Sequence, residues 1–316
     1  MGEIYLSNST IAYVKVSIAM SIVGSFVVVN KFILEQIPIF LASELRLLIA
    51  SLILLPMFYR KERRFPTLYK KDAFVLLVQS FVGIFLFSVC LLYGLQYTSA
   101  VESGIVLSCT PAAMGVIAYV FLKEKLGVAK ISGILLTILG TISINVFGII
   151  STNSLSFNSL FGNFLILCAV IGDAIFFSFG KLLSKAWSPL AISTALSIIG
   201  AILFLPLAIH DSLSIDFSQI SISVWLLVFY TAIIVTILAV ILMNQGLKVI
   251  PASVASVFTA LTPITTILLS SLVLKEDIYW YHILGMGFVV LGIIVLTRTN
   301  EKSVGMNVVK TDEAKL

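Results

Sequence analysis

Charge is what this chain has least of. Asp, Glu, Lys and Arg make up only 11% of its 316 residues, against 59% hydrophobic ones. A soluble domain carries about 25% charged residues, because a water-facing surface has to be polar. So sparse a supply excludes a soluble enzyme or binding domain and leaves lipid as the solvent for much of the surface. Cysteine and histidine are scarce too, with three and two copies. Cys90, Cys109 and Cys168 stand alone inside apolar runs, without metal-site spacing or a disulfide framework, so each reads as a small buried hydrophobe. No cofactor and no metal is expected. The nucleotide-binding pattern GxxxxGK[ST] is missing: Gly180-Lys181 has Ile175 five positions before the glycine, which argues against an ATP-driven pump. HExxH, GxSxG and paired intramembrane carboxylates are missing as well, and His210 and His282 fall near loop ends. The chain is not expected to be an enzyme. Its net charge of +5 lacks the dense basic patch that nucleic-acid binding requires.

What is present is a series of long apolar runs, near 11–30, 39–59, 73–95, 100–121, 128–149, 160–180, 189–209, 223–246, 252–274 and 280–298. A membrane-spanning helix needs about 20 mostly apolar residues, so the fold class predicted is an all-α membrane protein of ten transmembrane helices. The polar leader of residues 1–10 has no basic region, so the first run is expected to be a retained span. Basic residues set the topology. Arg60, Lys61, Arg63, Arg64, Lys70, Lys71, Lys123, Lys125, Lys130, Lys181, Lys185, Lys248, Arg298 and the tail lysines all fall on one side if both termini are cytoplasmic. Only Lys31 and Lys275 fall on the other, while Lys15 and Arg46 lie within spans. By the positive-inside rule the chain is a multi-pass plasma-membrane protein with both termini in the cytoplasm.

The spans also repeat. Shifting the sequence by 152 positions lays Gly94-Leu95 on Gly246-Leu247, Thr110-Pro111 on Thr262-Pro263, and Lys123-Glu124 on Lys275-Glu276. Glycine, proline and charge in register are harder to obtain by chance than matched aliphatics. Residues 1–150 and 155–298 therefore read as two five-helix repeats, with 299–316 as a cytoplasmic tail. An odd number of spans per unit makes the second unit enter the membrane inverted, the plan of many secondary transporters.

The stretch YTSAVESGIVLSCTPAAMGVIAYVFLKEKLGVAKISGILLTILGTI, residues 97–142, resembles the repeat unit of the EamA family of the drug/metabolite transporter superfamily. GSFVVVNKFILEQIPIFLASELRLLIA, residues 24–50, is similar to that family's first two spans, with Lys31 and Arg46 at the expected places. Val23 and Asp173 depart from its usual pattern. The resemblance implies a permease for a small organic metabolite, among them amino acids and related amines, with export favoured over import. An uptake carrier or a channel for a cationic or lipid-like solute is the alternative.

Candidate transport residues follow from polarity at depth. Pro111 and Pro263 each remove a backbone donor within a span, freeing the carbonyls of Leu107 and Thr259. In lipid such carbonyls need partners, so Ser108, Thr110, Thr259 and Thr262 mark either a wet, gating kink or a static one satisfied by hydroxyls. Asp173 lies about 18–20 Å into its span at 1.5 Å per residue, where an Asp costs about 2.5–3.5 kcal/mol. It should face the bundle interior, as a site for a substrate cation, for a coupling proton, or as a neutral structural acid. Tyr93 and Asn244 are further polar groups on the third and eighth spans. Glu44, Arg46 and Glu102 lie at similar depth and are expected to form a charge pair or outer gate, Arg46 with Glu102 or Glu44 with Lys31. Arg46 as a docking point for a carboxylate is the other reading. The expected partners are a small-molecule substrate, the bilayer and, for one reading of Asp173, a proton; the assembly expected is a monomer or weak dimer.

Overall fold

The computed structural model describes residues 2–63, 66–110, 157–183, 187–249, 258–259 and 261–288, with short stretches between 112 and 147 and between 290 and 295. These residues form helices and connecting turns, with no strand among them. Inside lipid a backbone must satisfy its own donors and acceptors, and a helix does so within one segment.

Six described helices are long and apolar enough to cross a membrane. They are α1 (Gly2–Ile33), α2 (Ile39–Lys61), α3 (Lys70–Tyr97), α6 (Phe157–Leu183), α7 (Pro189–Ser212) and α8 (Ile222–Val249). Shorter apolar helices fall on the remaining expected runs: α4 (Ala100–Met114), α5 (Ile131–Gly140), α9 (Leu261–Leu274) and α10 (Trp280–Gly292). Lys123, Glu124 and the tail 299–316 lie outside the described residues. Local chemistry sets several helix ends. Ser99 and Ser188 accept the backbone N–H of Glu102 and Ala191, each at 3.0 Å, and Pro189 occupies the first turn of α7. Lys275, in the left-handed conformation at φ 55°, ends α9.

The long helices are apolar on both faces. Leu54, Ile166, Phe204 and Val228 are fully buried, whereas Leu52, Phe164, Ile202 and Leu226, each two residues away, are more than half exposed. An outward leucine row on a helix whose inner row is already sealed has lipid as its solvent.

The helices α3 and α8 form a pair. Each runs for 28 residues, and their ends differ by the same 152 positions that superpose the sequence. Each carries a wide π-helical segment midway, Phe81–Leu86 in α3 and Thr231–Ala239 in α8. Such segments insert one extra residue per turn and concentrate at functional sites.

At one end of the bundle hydrogen bonds tie the helix ends together. Lys31 Nζ, at the end of α1, donates to the carbonyls of Leu95 and Thr98 at the end of α3, both at 2.6 Å. Glu102 Oε2, at the start of α4, accepts from Thr98 Oγ1 at 2.6 Å and from Ser159 Oγ and Asn163 Nδ2 of α6 at 3.0 and 3.2 Å. The end of α1 therefore meets the start of α6, so the first helices of the two halves run in opposite directions. At the far end Ser188 bonds Glu62, joining the end of α2 to the start of α7. Glycines let the halves approach closely. A Cβ on Gly94 would stand 3.0 Å from the Gly162 carbonyl, and one on Gly162 3.0 Å from that of Gly94.

Candidate functional site

Between these ends α1, α2 and α3 meet α6, α7 and α8 around a cavity of about 130 Å³. Its floor lies near mid-bundle, at Met20, Arg46 and Asp173, and its walls reach Gly180, Ile192 and Leu247 toward the end marked by Glu62 and Ser188. Gly83, Ile84, Phe87 and Ser88 line it from α3. Val235, Thr236, Ala239 and Val240, each 152 positions later, line it from α8. The two wide turns thus face each other across the cavity.

Polar groups on the mostly apolar wall come from five helices: Arg46, Gln79, Ser88, Asp173, Ser193, Ser197, Thr236 and Asn244. Arg46 is held from both halves, since Nη1 donates to Thr236 Oγ1 at 3.1 Å and Nη2 to Ser88 Oγ at 3.2 Å. Its guanidinium carbon also sits 5.1 Å from the centre of the Phe26 ring. Thr236 Oγ1 in turn donates to the carbonyl of Thr231, five residues back, at 2.9 Å. Gln79 Nε2 donates to the Phe176 carbonyl at 2.9 Å. Among the described residues no carboxylate pairs with Arg46, so its charge is offered to the cavity. Asp173 is its counterpart on α6. Thr110 Oγ1 lies 3.2 Å from Asp173 Oδ2, and no cation is paired with the carboxylate among the described residues.

Behind Asp173 lies a second chamber of about 20 Å³, lined also by Thr110, Thr259 and Thr262. That is room for about one water molecule. Met20, Val23, Phe26, Phe87 and Phe177 line both spaces and separate them. Among the described residues no three His, Cys, Asp or Glu side chains converge as metal ligands would.

Of the residues expected to bind cargo, Asp173, Thr110, Thr259, Thr262 and Asn244 lie on these walls. Ser108 and Tyr93 do not: Ser108 bonds the Ile105 carbonyl of its own helix, and Tyr93 stands edge-on to Phe40 at 6.0 Å. Pro263 is buried on α9, and Pro111 lies outside the described residues. The two carbonyls that these prolines cannot serve are both occupied. Leu107 O accepts from Thr110 Oγ1 at 2.8 Å and Thr259 O from Thr262 N at 3.1 Å.

The expected charge pairs need correcting. Glu102 is consumed by Thr98, Ser159 and Asn163, and Lys31 by two helix-end carbonyls, so neither meets Arg46 or Glu44. Arg46 instead turns inward to the cavity. Glu44 is buried, and its Oε2 has no hydrogen-bond partner among the described residues. Ser88, Ser193, Ser197 and Thr236 were not expected at the site. A hydroxyl inside a span usually bonds its own helix, as Thr194 bonds the Leu190 carbonyl at 2.7 Å, so polarity alone does not mark the inward ones.

Comparison with known proteins fits this geometry. Residues 10–146 and 160–298 each match the profile of the EamA-like transporter family. The uncharacterized transporter YetK of Bacillus subtilis is 46% identical over 294 residues, which cover 93% of this chain and 89% of that protein. The uncharacterized transporter YyaM of the same organism is 28% identical, covering 71% and 73%. An uncharacterized transporter of Archaeoglobus fulgidus is 27% identical, covering 68% and 74%. A crystal structure at 15% identity superposes with a TM-score of 0.65 over 94% of this chain and 98% of that one, a likeness of fold.

Proposed function

This chain belongs to the EamA-like transporter family, and from that premise we propose that it is a secondary transporter that carries a small amphoteric metabolite, an amino acid or related amine, across the plasma membrane. The observation that carries the substrate class is the presence of Arg46 and Asp173 on one buried cavity, opposite in sign and paired with neither each other nor a third charge among the described residues. A buried charge without a partner is costly, and a cargo bearing both a carboxylate and an ammonium group would satisfy the two at once. The guanidinium, braced by Ser88 and Thr236, presents its remaining donors as a fork suited to a carboxylate. Asp173 presents an acceptor to the ammonium end.

In this reading ten helices form two inverted units, residues 1–150 and 155–298, around the cavity. The opposite course of α1 and α6 and the matched wide turns of α3 and α8 support it. Transport proceeds by alternating access. The cavity reaches the end that carries Arg60, Lys61, Lys70 and Lys248, the cytoplasmic side under the positive-inside rule. The other end is closed by the bonds of Lys31 and Glu102, with Glu276 accepting the backbone N–H groups of Ala100 and Val101 beside them. A cavity loading from the cytoplasm favours export, and the closed outer end fits a carrier better than an open channel.

Counterflow in proteoliposomes tests this. Purified protein, loaded in turn with a panel of amino acids, their esters and their decarboxylated amines, should accumulate labelled zwitterion saturably and lose most uptake with either derivative. Uptake of the amines and esters at the zwitterion's rate would reject the amphoteric reading.

A further inference from the structure

We propose that Asp173 is a proton-binding site coupled, through the one hydroxyl hydrogen of Thr110, to the bend of α4 at the turn formed by Ser108 and Cys109. The inference rests on the transport reading for its purpose, since a proton taken up here would drive a carrier.

Thr110 Oγ1 lies 2.8 Å from the Leu107 carbonyl and 3.2 Å from Asp173 Oδ2. A threonine hydroxyl has one hydrogen to donate. It cannot serve both oxygens when both are acceptors. Leu107 needs that hydrogen, because the residue four places on is Pro111, which has no N–H to give. When Asp173 carries a proton the conflict vanishes: the acid donates to Thr110 Oγ1, and Thr110 donates to Leu107. When the proton leaves to water in the larger cavity, which Asp173 also lines, the carboxylate draws the Thr110 hydrogen to itself, as the charged and stronger acceptor. The Leu107 carbonyl is then stranded in the bundle interior and must find a new donor by a change in the bend. A buried acceptor without a partner drives such a rearrangement.

Among the described residues the second half lacks this device. Thr262 precedes Pro263 as Thr110 precedes Pro111, but the stranded carbonyl there, that of Thr259, is served by the backbone N–H of Thr262. The Thr262 hydroxyl turns instead to the Met20 carbonyl at 3.2 Å, and among the described residues no carboxylate bonds it. Among the described residues, α2 supplies the one other charge on these walls, Arg46. The wall side chains of α1, α3, α7, α8 and α9 are uncharged. Proton sensitivity therefore resides in one of the two related bends.

The test uses the full chain in liposomes, with no cargo, and two readouts. Infrared difference spectra across a pH titration should show a carboxylic-acid band that disappears as pH rises and is absent from Asp173→Asn. In parallel, pulsed EPR should follow the distance between bio-orthogonal spin labels at Val116, two residues beyond α4, and Ile171 on α6, both exposed. That distance should change over the same titration in the parent protein and in Thr110→Ser, which keeps the hydroxyl. It should stay fixed in Asp173→Asn and in Thr110→Val, although Thr110→Val keeps the carboxylic-acid band. A pH-dependent distance that survives in Thr110→Val, or an acid band that survives in Asp173→Asn, would overturn the proposal. Failure of every cargo in counterflow would reject the transport reading and leave this titration standing.

Discussion

Glu276 and Ala100 belong to different halves of the chain and share a hydrogen bond. The Glu276 carboxylate accepts the backbone N–H groups of Ala100 and Val101 at 3.0 and 2.9 Å, so the turn after α9 caps the first turn of α4. Ser270 Oγ holds the same carboxylate at 2.5 Å. A negative group at a helix start satisfies exposed donors and meets the positive end of the helix dipole.

Removing that cap should loosen the closed end. Glu276→Ala costs about 1 kcal/mol, the usual worth of a helix cap, which corresponds to roughly a fivefold change in an equilibrium. A cysteine placed at Ser88 in a background free of other cysteines should then react about five times faster with an impermeant thiol reagent applied from the Lys31 side. An unchanged rate would show that the cap does not hold this end closed.

The two cavity charges should separate by cargo chemistry. Arg46→Lys replaces a fork with a point charge and should raise the KM for carboxylate-bearing cargo by about 10–100-fold, the scale of one charged hydrogen bond. Its effect on a cargo without a carboxylate should be small. Asp173→Asn should show the reverse preference, weakening ammonium-bearing cargo most. Counterflow kinetics on both classes read this directly, and equal losses on both would contradict the assignment.

Close glycine contacts should be intolerant of even one carbon. A Cβ at Gly24 would stand 2.5 Å from the Thr262 carbonyl, whereas one at Gly287 would meet nothing within 4 Å. Gly24→Ala should cost about 1–3 kcal/mol, as overpacking does, and lower the melting temperature in detergent by several degrees. Gly287→Ala should leave it unchanged. Equal effects at the two positions would count against close packing of α1 on α9.

Topology is testable by labelling. Single cysteines at Lys123 and Lys275 should react from opposite faces of the membrane, and tags at the two termini from the same face. Lys123 and Lys275 on one face would rule out inverted units.

Part of the cavity lining was legible in the sequence. Depth and polarity placed Asp173, Asn244 and the threonines beside the prolines on the cavity walls, because a polar group far from both interfaces has few other places to go. The partners of Arg46 were not legible. Depth told which residues share a level, but the lateral neighbours of α2 decide contact, and those are α7 and α8 with Thr236 rather than α4 with Glu102. The wide turns compound this. One added residue turns the helix beyond it by about 100°, so a wheel drawn from the start of α8 assigns Thr236 and Asn244 to the wrong side. The cap made by Glu276 depends on a turn from one half reaching the other, which no local pattern encodes.

The loosened turns of α3 and α8 carry one more consequence. A segment bonded five residues back can return to the ordinary four-back ladder and so lengthen and rotate without breaking the rod. Such a segment stands at the same station in both halves, six residues long in α3 and nine in α8, so the alternating access proposed above would find a place to lengthen or shorten a helix on either side of the cavity.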